Sequence, residues 1–106
     1  IHVIEDIPVS YVVSEKLLRE IVDAYKRENQ LILSNCSEIA TKKGLVIKTK
    51  LLQGNPGSII LDYCEKEKHD IIIMGSRGMG KFKELVLGSV SNKVLHHSSC
   101  PVMIIR

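Results

Sequence analysis

Four small residues between positions 75 and 89 have the types and the spacing that could bind phosphate. Gly75, Gly78, Gly88 and Ser89 match the pattern Gly-x2-Gly-x9-Gly-(Ser/Thr). Glycine lets a backbone approach a ligand closely, and the N–H groups at a helix N-terminus attract phosphate. A serine at the last position offers a phosphate its side-chain hydroxyl as well as its backbone N–H. The pattern therefore predicts a phosphate-binding loop that leads into a helix.

Other interpretations of the same segment remain open. Gly75, Gly78 and Gly80 do not have the Gly-x-Gly-x-x-Gly spacing of dinucleotide-binding loops. Gly75-x4-Gly80-Lys81 matches a P-loop up to the next position, where Phe82 stands in place of the Ser or Thr that would bind magnesium. The plainest alternative is that the glycines only permit tight turns and close packing of helix against sheet.

The elements that must position this loop alternate between strand and helix. Apolar or alternating patterns predict four strands, at residues 1–4, 45–52, 71–74 and 102–105. Helical patterns occupy the three intervals between them. This order predicts an α/β fold with right-handed crossovers and an open parallel sheet covered on both faces. Such sheets bind ligands beyond the carboxyl ends of their strands, and the segment from Met74 to Gly80 lies at such an end.

The helices carry recognisable start and stop signals. Ser14 is the predicted N-cap of the first helix, which should end before Gly44 and could be broken near Asn29 or Asn35. Asn55 is the predicted N-cap of the second helix, with Pro56 at its first position. The predicted buried stripe of the first helix consists of Leu17, Ile21, Ala24, Leu31, Ile32, Cys36 and Ile39.

Composition excludes several classes of function. The 106 residues carry a net charge of +3, with one Phe, three Tyr and no Trp. This scarcity of aromatic residues argues against a surface that stacks nucleic-acid bases. No apolar run reaches the length of a membrane span. The three cysteines have no CxxC spacing, so we expect buried, reduced thiols in a cytoplasmic protein rather than disulfides or a zinc site.

No set of side chains in the sequence has the pattern of a catalytic or metal site. His96 and His97 are adjacent, so on a helix they point about 100° apart and chelate one metal poorly. We expect them to lie at a helix C-terminus, where positive charge is favourable. Cys100 has no assignable His or Asn partner that would make it a nucleophile.

The segment IIIMGSRGMGKFKELVLGSVSNKVLHHSSCPVMIIR closely resembles the C-terminal part of universal stress protein domains. Ile1-His2-Val3-Ile4-Glu5 is similar to the second strand of that family. The resemblance implies one domain over residues 1–106, with a Rossmann-like three-layer fold related to the adenine nucleotide alpha hydrolases and the strand order 3-2-1-4-5. The family begins with a further strand, followed by an Asp, and a further helix. We expect the natural protein to have them, so that this domain is N-terminally incomplete.

The ATP-binding members of this family use the glycine pattern described above, so the resemblance implies a nucleotide site. Gly75 and Gly78 would approach the ribose and phosphates, and the distal phosphates would lie at Gly88, Ser89 and Val90. Met74 and Val3 occupy the positions of the adenine contacts. Arg77, Gly80 and Lys81 are further candidates near the phosphates. The candidate nucleotide-binding residues are thus Val3, Met74, Gly75, Arg77, Gly78, Gly80, Gly88, Ser89 and Val90.

The resemblance implies an ATP-binding regulator of the stress response, with magnesium or manganese as the candidate accompanying ion. No general base is evident, so we expect at most slow ATP hydrolysis. The alternative is a dimerisation or interaction module of the same fold that binds no nucleotide. A homodimer through the strand at residues 102–105 is expected in either case, because a short apolar edge strand needs covering.

Overall fold

A computed structural model of the chain describes residues 1–7, 14–77 and 87–106. These residues form two compact units, Ile1–Gly54 and Asn55–Arg106. The element order is β1 (His2–Ile4), α1 (Glu15–Lys42), β2 (Leu51–Gln53), α2 (Pro56–Lys66), β3 (Ile72–Gly75), α3 (Ser89–His97) and β4 (Val102–Ile105). The predicted alternation of strands and helices is therefore confirmed.

In the first unit, β1 and β2 are parallel and the long helix α1 connects them. His2, Val3 and Ile4 lie opposite Leu51, Leu52 and Gln53, respectively. The helix is continuous from Glu15 to Lys42, so the break considered near its middle does not occur. The Ser14 hydroxyl accepts a hydrogen bond from the N–H of Leu17 at 3.2 Å, which confirms the predicted N-cap.

The predicted strand at residues 45–52 is wrong for all but its last two positions. Gly44 has φ +72°, and the N–H of Leu45 donates to the carbonyl of Ala40 at 2.9 Å, so the helix ends in a left-handed glycine turn. Residues 45–50 are exposed and form no strand. The reason is the length of β1, whose three residues pair only with Leu51–Gln53.

The buried face of α1 is not the predicted one. All seven residues of the predicted stripe, Cys36 among them, are exposed. The fully buried positions are instead Asn29, Leu33 and Ala40, with Leu18, Val22 and Tyr25 half-buried beside them. These two stripes are adjacent on the helix and both are largely apolar, so spacing alone did not distinguish them. The expectation of a buried thiol is wrong for Cys36.

A polar residue occupies the centre of this buried face. Asn29 is 8% exposed. His2 Nε2 donates to Asn29 Oδ1 at 2.8 Å, and Asn29 Nδ2 donates to the carbonyl of Tyr25 at 2.8 Å. Both ends of the amide are therefore hydrogen-bonded, which removes most of the cost of burying it. The His2–Asn29 pair joins β1 directly to α1.

In the second unit, β3 and β4 are parallel and are connected through the segment that contains α3. Ile72 to Gly75 lie opposite Val102 to Ile105, residue by residue. Side chains alternate along both strands. Ile72, Met74, Val102 and Ile104 are half-buried, whereas Ile73, Met103 and Ile105 are exposed. The covering of both faces predicted from sequence is therefore not seen for this strand pair.

Helices α2 and α3 pack closely, and a glycine makes the approach possible. A Cβ built on Gly57 would lie 2.8 Å from Lys93 Cδ, so any side chain at this position would displace Lys93. Lys93 Nζ donates to Ser58 Oγ at 2.7 Å and to Asn55 Oδ1 at 3.3 Å. Asn55 Oδ1 also accepts from the N–H of Ser58 at 3.1 Å, which confirms Asn55 as the N-cap of α2.

The last turn of α3 contains His96 and His97, as predicted from the helix-dipole argument.

Within residues 1–7, 14–77 and 87–106, no helix combines the length and the low polarity that a bilayer span requires.

The side chain of Val94 is the most deeply buried in α3, at 0% exposed. We expect Val94→Ala to lower the free energy of unfolding by about 2 kcal/mol, because it removes two buried methyl groups and leaves a cavity. Urea unfolding followed by circular dichroism measures this difference.

Val46→Ala is the matched control, because Val46 is 100% exposed. It should change the unfolding free energy by less than about 0.5 kcal/mol. Equal losses for the two variants would contradict the burial of Val94.

Candidate functional site

The carbonyl of Ser76 joins the end of β3 to the start of α3. It accepts a hydrogen bond from the N–H of Gly88 at 2.7 Å and a second from Ser91 Oγ at 3.0 Å. The N–H of Ser76 donates to the carbonyl of Ile105 at 2.9 Å. Both serines are buried, Ser76 at 7% and Ser91 at 3% exposed. One peptide residue thus ties β3, β4 and α3 together at the carboxyl end of the strands.

The N-terminus of α3 presents backbone donors that its own helix does not use. Gly88 is the N-cap, and no side chain caps this helix. The first N–H that forms a helical hydrogen bond is that of Asn92, which donates to the carbonyl of Gly88 at 2.9 Å. The N–H groups of Ser89, Val90 and Ser91 precede this hydrogen-bond ladder. No acidic residue lies in the first turn, so the positive end of the helix dipole is not neutralised there.

The end of β3 supplies the other part of the predicted site. Met74 is half-buried, Gly75 is the last residue of the strand, and Arg77 is exposed. A Cβ built on Gly75 would lie 3.4 Å from the carbonyl oxygen of Arg77, so even the smallest side chain would occupy the space beside this turn. The Ser76–Gly88 hydrogen bond brings this segment next to the start of α3.

The remaining candidates belong to the other unit or fall outside the described residues. Val3 belongs to the first unit, where it is half-buried in the middle of β1 opposite Leu52. Gly78 and Gly80, together with Lys81 and Phe82 of the P-loop interpretation, lie outside the described residues. Among the residues that are described, no three or more His, Cys, Asp or Glu side chains form a group that could hold a metal ion.

Sequence reasoning missed Ser76 and Ser91, the two residues that hold the predicted ones in place. Ser91 lies three positions before Val94, on the buried face of α3. A small polar residue on an otherwise apolar face usually has a buried hydrogen-bond partner, and this was the available signal. Ser76 had no comparable signal, because its contribution comes from its backbone.

Parallel strands joined through crossover helices define a protein of the α/β class. Comparison with solved structures agrees with this class. The chain superimposes on the hypothetical protein MJ0577 with a TM-score of 0.83 at 32% identity, covering 98% of this chain and 71% of that one. With the universal stress protein UspA of Lactobacillus plantarum the TM-score is 0.80 at 26% identity, covering 98% of this chain and 73% of UspA.

Sequence comparison then identifies the family. The model of the universal stress protein family matches residues 1–106. Over 94 residues the chain is 40% identical to the universal stress protein YxiE of Bacillus subtilis, covering 89% of this chain and 64% of YxiE. Over 106 residues it is 31% identical to the universal stress protein MJ0531 of Methanocaldococcus jannaschii, covering 100% of this chain and 62% of MJ0531. The chain belongs to the universal stress protein family and spans less than two thirds of the length of these two relatives.

The Ser91 hydroxyl can be tested as the support of this site. Ser91→Ala leaves the buried Ser76 carbonyl with one partner fewer and removes the hydrogen bond from Ser91 Oγ to the carbonyl of Gly88, which measures 3.0 Å. We expect a loss of about 1–3 kcal/mol in unfolding free energy, measured by urea unfolding.

Ser34→Ala is the matched control. Ser34 Oγ also donates to a backbone carbonyl, that of Gln30 at 3.1 Å, but on the exposed side of α1. The Ser34→Ala substitution should lower the unfolding free energy by less than about 0.5 kcal/mol. A Ser91 variant as stable as the control would show that the buried hydrogen bonds contribute little.

Proposed function

We propose that this chain is the nucleotide-binding part of a cytoplasmic stress-response regulator, with ATP held between the end of β3 and the start of α3. The observation that carries the proposal is the 2.7 Å hydrogen bond from Gly88 N–H to the Ser76 carbonyl. It keeps the uncapped start of α3 beside the carboxyl end of a parallel strand, where α/β sheets bind their ligands.

The hydrogen bond made by Gly88 narrows the set of groups that we propose for holding the phosphates. Because the N–H of Gly88 is already donated to Ser76, the donors left at the helix start are those of Ser89 and Val90, with Ser91 next. Ser89 is exposed, so its hydroxyl is also free to approach an anion. Gly88 would then act by its small size, which lets a phosphate oxygen approach the helix end.

The backbone of Gly88 supports this interpretation. Its φ of −70° and ψ of 163° describe an extended conformation that any residue can adopt. A glycine is therefore not required here by backbone geometry. What glycine contributes at this position is therefore the absence of a side chain, which would let a phosphate approach the backbone closely.

In this proposal the nucleotide is a bound signal, and hydrolysis is at most slow. ATP supplies a negatively charged triphosphate, and Arg77 on the adjoining strand end adds positive charge. A magnesium or manganese ion would be bound largely through the phosphate oxygens, which suits the hard oxygen ligands these ions prefer.

Gly88→Val tests the site directly. The extended backbone accepts valine, but its branched side chain would cover the N–H groups of Ser89 and Val90. Calorimetric titration with magnesium ATP should show binding by the wild-type protein and a loss of affinity of about tenfold or more in the variant, equivalent to one or two lost charged hydrogen bonds.

Ser14→Val is the control, because it places valine at the N-cap of α1 instead. Both variants should lose about 1 kcal/mol of unfolding free energy through poorer capping, but only Gly88→Val should weaken ATP binding. Equal affinities in the wild type and Gly88→Val would exclude this phosphate site. A wild-type protein that neither binds ATP nor gains thermal stability from it would favour the alternative, a nucleotide-free interaction module.

We also propose a homodimer formed through β4. The carbonyl of Pro101 accepts a hydrogen bond from the N–H of Ile72, and that of Ile105 accepts one from the N–H of Ser76 just after β3, at 2.9 Å each. The backbone groups of the alternate residues Val102 and Ile104 therefore face away from β3. In the described residues β4 pairs only with β3. Its second edge is apolar and suited to pairing with the same strand of another copy.

Ile104→Pro tests this edge, because it removes an outward-facing N–H and leaves the hydrogen bonds to β3 intact. Sedimentation equilibrium at micromolar concentration should give a dimer for the wild type and a monomer for the variant. Ile104→Ala, which shortens the side chain but keeps the N–H, is the control and should remain dimeric. A monomeric wild-type protein would refute the proposal.

A further inference from the structure

Two cysteines far apart in sequence face each other in the second unit. Cys64 lies in α2 and is 5% exposed, and Cys100 lies just before β4 and is half-buried. Their Sγ atoms are 3.0 Å apart and form a hydrogen bond. A disulfide bond measures about 2.0 Å, so the sulfurs need to approach by only about 1 Å to be joined.

The backbone around Cys100 holds its sulfur in this position. The N–H of Cys100 donates to Ser98 Oγ at 3.2 Å, and Ser98 Oγ donates to the carbonyl of Cys100 at 2.8 Å. Ser98 Oγ also lies 3.5 Å from Cys100 Sγ. On the other side, the N–H of His69 donates to the carbonyl of Cys64 at 3.1 Å and closes the end of α2.

The two thiols differ in acidity in a way that assigns their chemical roles. Hydrogen bonds from Ser98 and from Cys64 lower the pKa of Cys100 below its usual value. The hydrogen bond with Cys100, together with burial, raises the pKa of Cys64 to about 11. Cys100 is therefore the sulfur that loses its proton first, and the thiolate is the reactive form of cysteine.

We propose that Cys64 and Cys100 form a reversible intramolecular disulfide when the protein meets a hydroperoxide. The Cys100 thiolate attacks a peroxide oxygen, the O–O bond breaks, and Cys100 becomes a sulfenic acid while water (or an alcohol) leaves with a proton. The Cys64 sulfur then attacks the Cys100 sulfur, the S–O bond breaks and a second water leaves. The two thiols lose two electrons and two protons, and the peroxide gains them.

This site does not depend on nucleotide binding, but it spans the segment that carries the candidate nucleotide site. The disulfide would tie α2 to the start of β4 and enclose β3, the Ser76–Gly88 hydrogen bond and α3 in one covalent loop. Closing such a loop restricts the unfolded chain. Oxidation would therefore make this unit harder to unfold, and a thiol reductant would reverse the effect.

The experiment treats the reduced protein with hydrogen peroxide, alkylates the remaining thiols and maps tryptic peptides by mass spectrometry. Trypsin places the three cysteines on separate peptides, residues 28–42, 51–66 and 94–106. We expect peptides 51–66 and 94–106 to be joined, with a rise in melting temperature of about 10 °C that dithiothreitol reverses.

Cys36→Ser is the matched control, because Cys36 is exposed on α1 and should be dispensable for the link. In Cys64→Ser, dimedone should trap a sulfenic acid on Cys100, since its resolving partner is gone. In Cys100→Ser, Cys64 should react with peroxide about tenfold more slowly than Cys100 does in Cys64→Ser, because the Cys64 sulfur is buried, with the residue only 5% exposed.

The proposal is overturned if peptides 51–66 and 94–106 remain separately alkylated in the wild type while Cys36 is oxidised. It is also overturned if the only disulfides found join two protein molecules. The peptide map of the wild-type protein gives this answer even if a cysteine variant fails to fold, and neither readout requires ATP to bind.

Discussion

The carbonyl of Ser76 is the group on which the arrangement of the second unit depends. A buried backbone carbonyl needs hydrogen-bond partners, and this one has two, Gly88 N–H and Ser91 Oγ. Because the N–H of the same residue bonds to Ile105, a strand end, a neighbouring strand and a helix start meet at one peptide residue. Any shift of α3 along its axis would leave that carbonyl without its partners.

The same constraint decides what the helix start can offer a ligand. Because Gly88 donates its N–H to Ser76, the N–H groups of Ser89 and Val90 are the ones that the proposed ligand would meet. The glycine pattern predicted a phosphate-binding loop that leads into a helix, and at the start of that helix the N–H of Gly88 is used for positioning whereas those of Ser89 and Val90 are not used by the helix. In the proposed phosphate site the helix start would be preorganised, because its hydrogen bonds to Ser76 and not the ligand orient it.

Sequence alone predicted the parts of the fold that depend on local chemistry. The caps at Ser14 and Asn55 depend on a side-chain oxygen reaching an N–H three residues away, so they could be read from spacing. The buried face of α1 could not be predicted from spacing, because two adjacent stripes on this helix are both largely apolar. The face that is buried is the one on which His2 pairs with Asn29, a contact between residues 27 positions apart that places a polar amide where an apolar residue would be expected.

The contacts of the candidate site and of the cysteine pair were beyond sequence reasoning for the same physical reason. They join residues that only packing brings together, as it also does where the missing side chain of Gly57 makes room for Lys93 between α2 and α3. A glycine in the first turn of a helix has several possible explanations, and only its position beneath Lys93 selects close packing. At the other end of α2, Cys64 meets Cys100 at 3.0 Å. Neither thiol has a sequence signal for this contact, because the two residues are 36 positions apart in sequence and are brought together by packing and not by a motif.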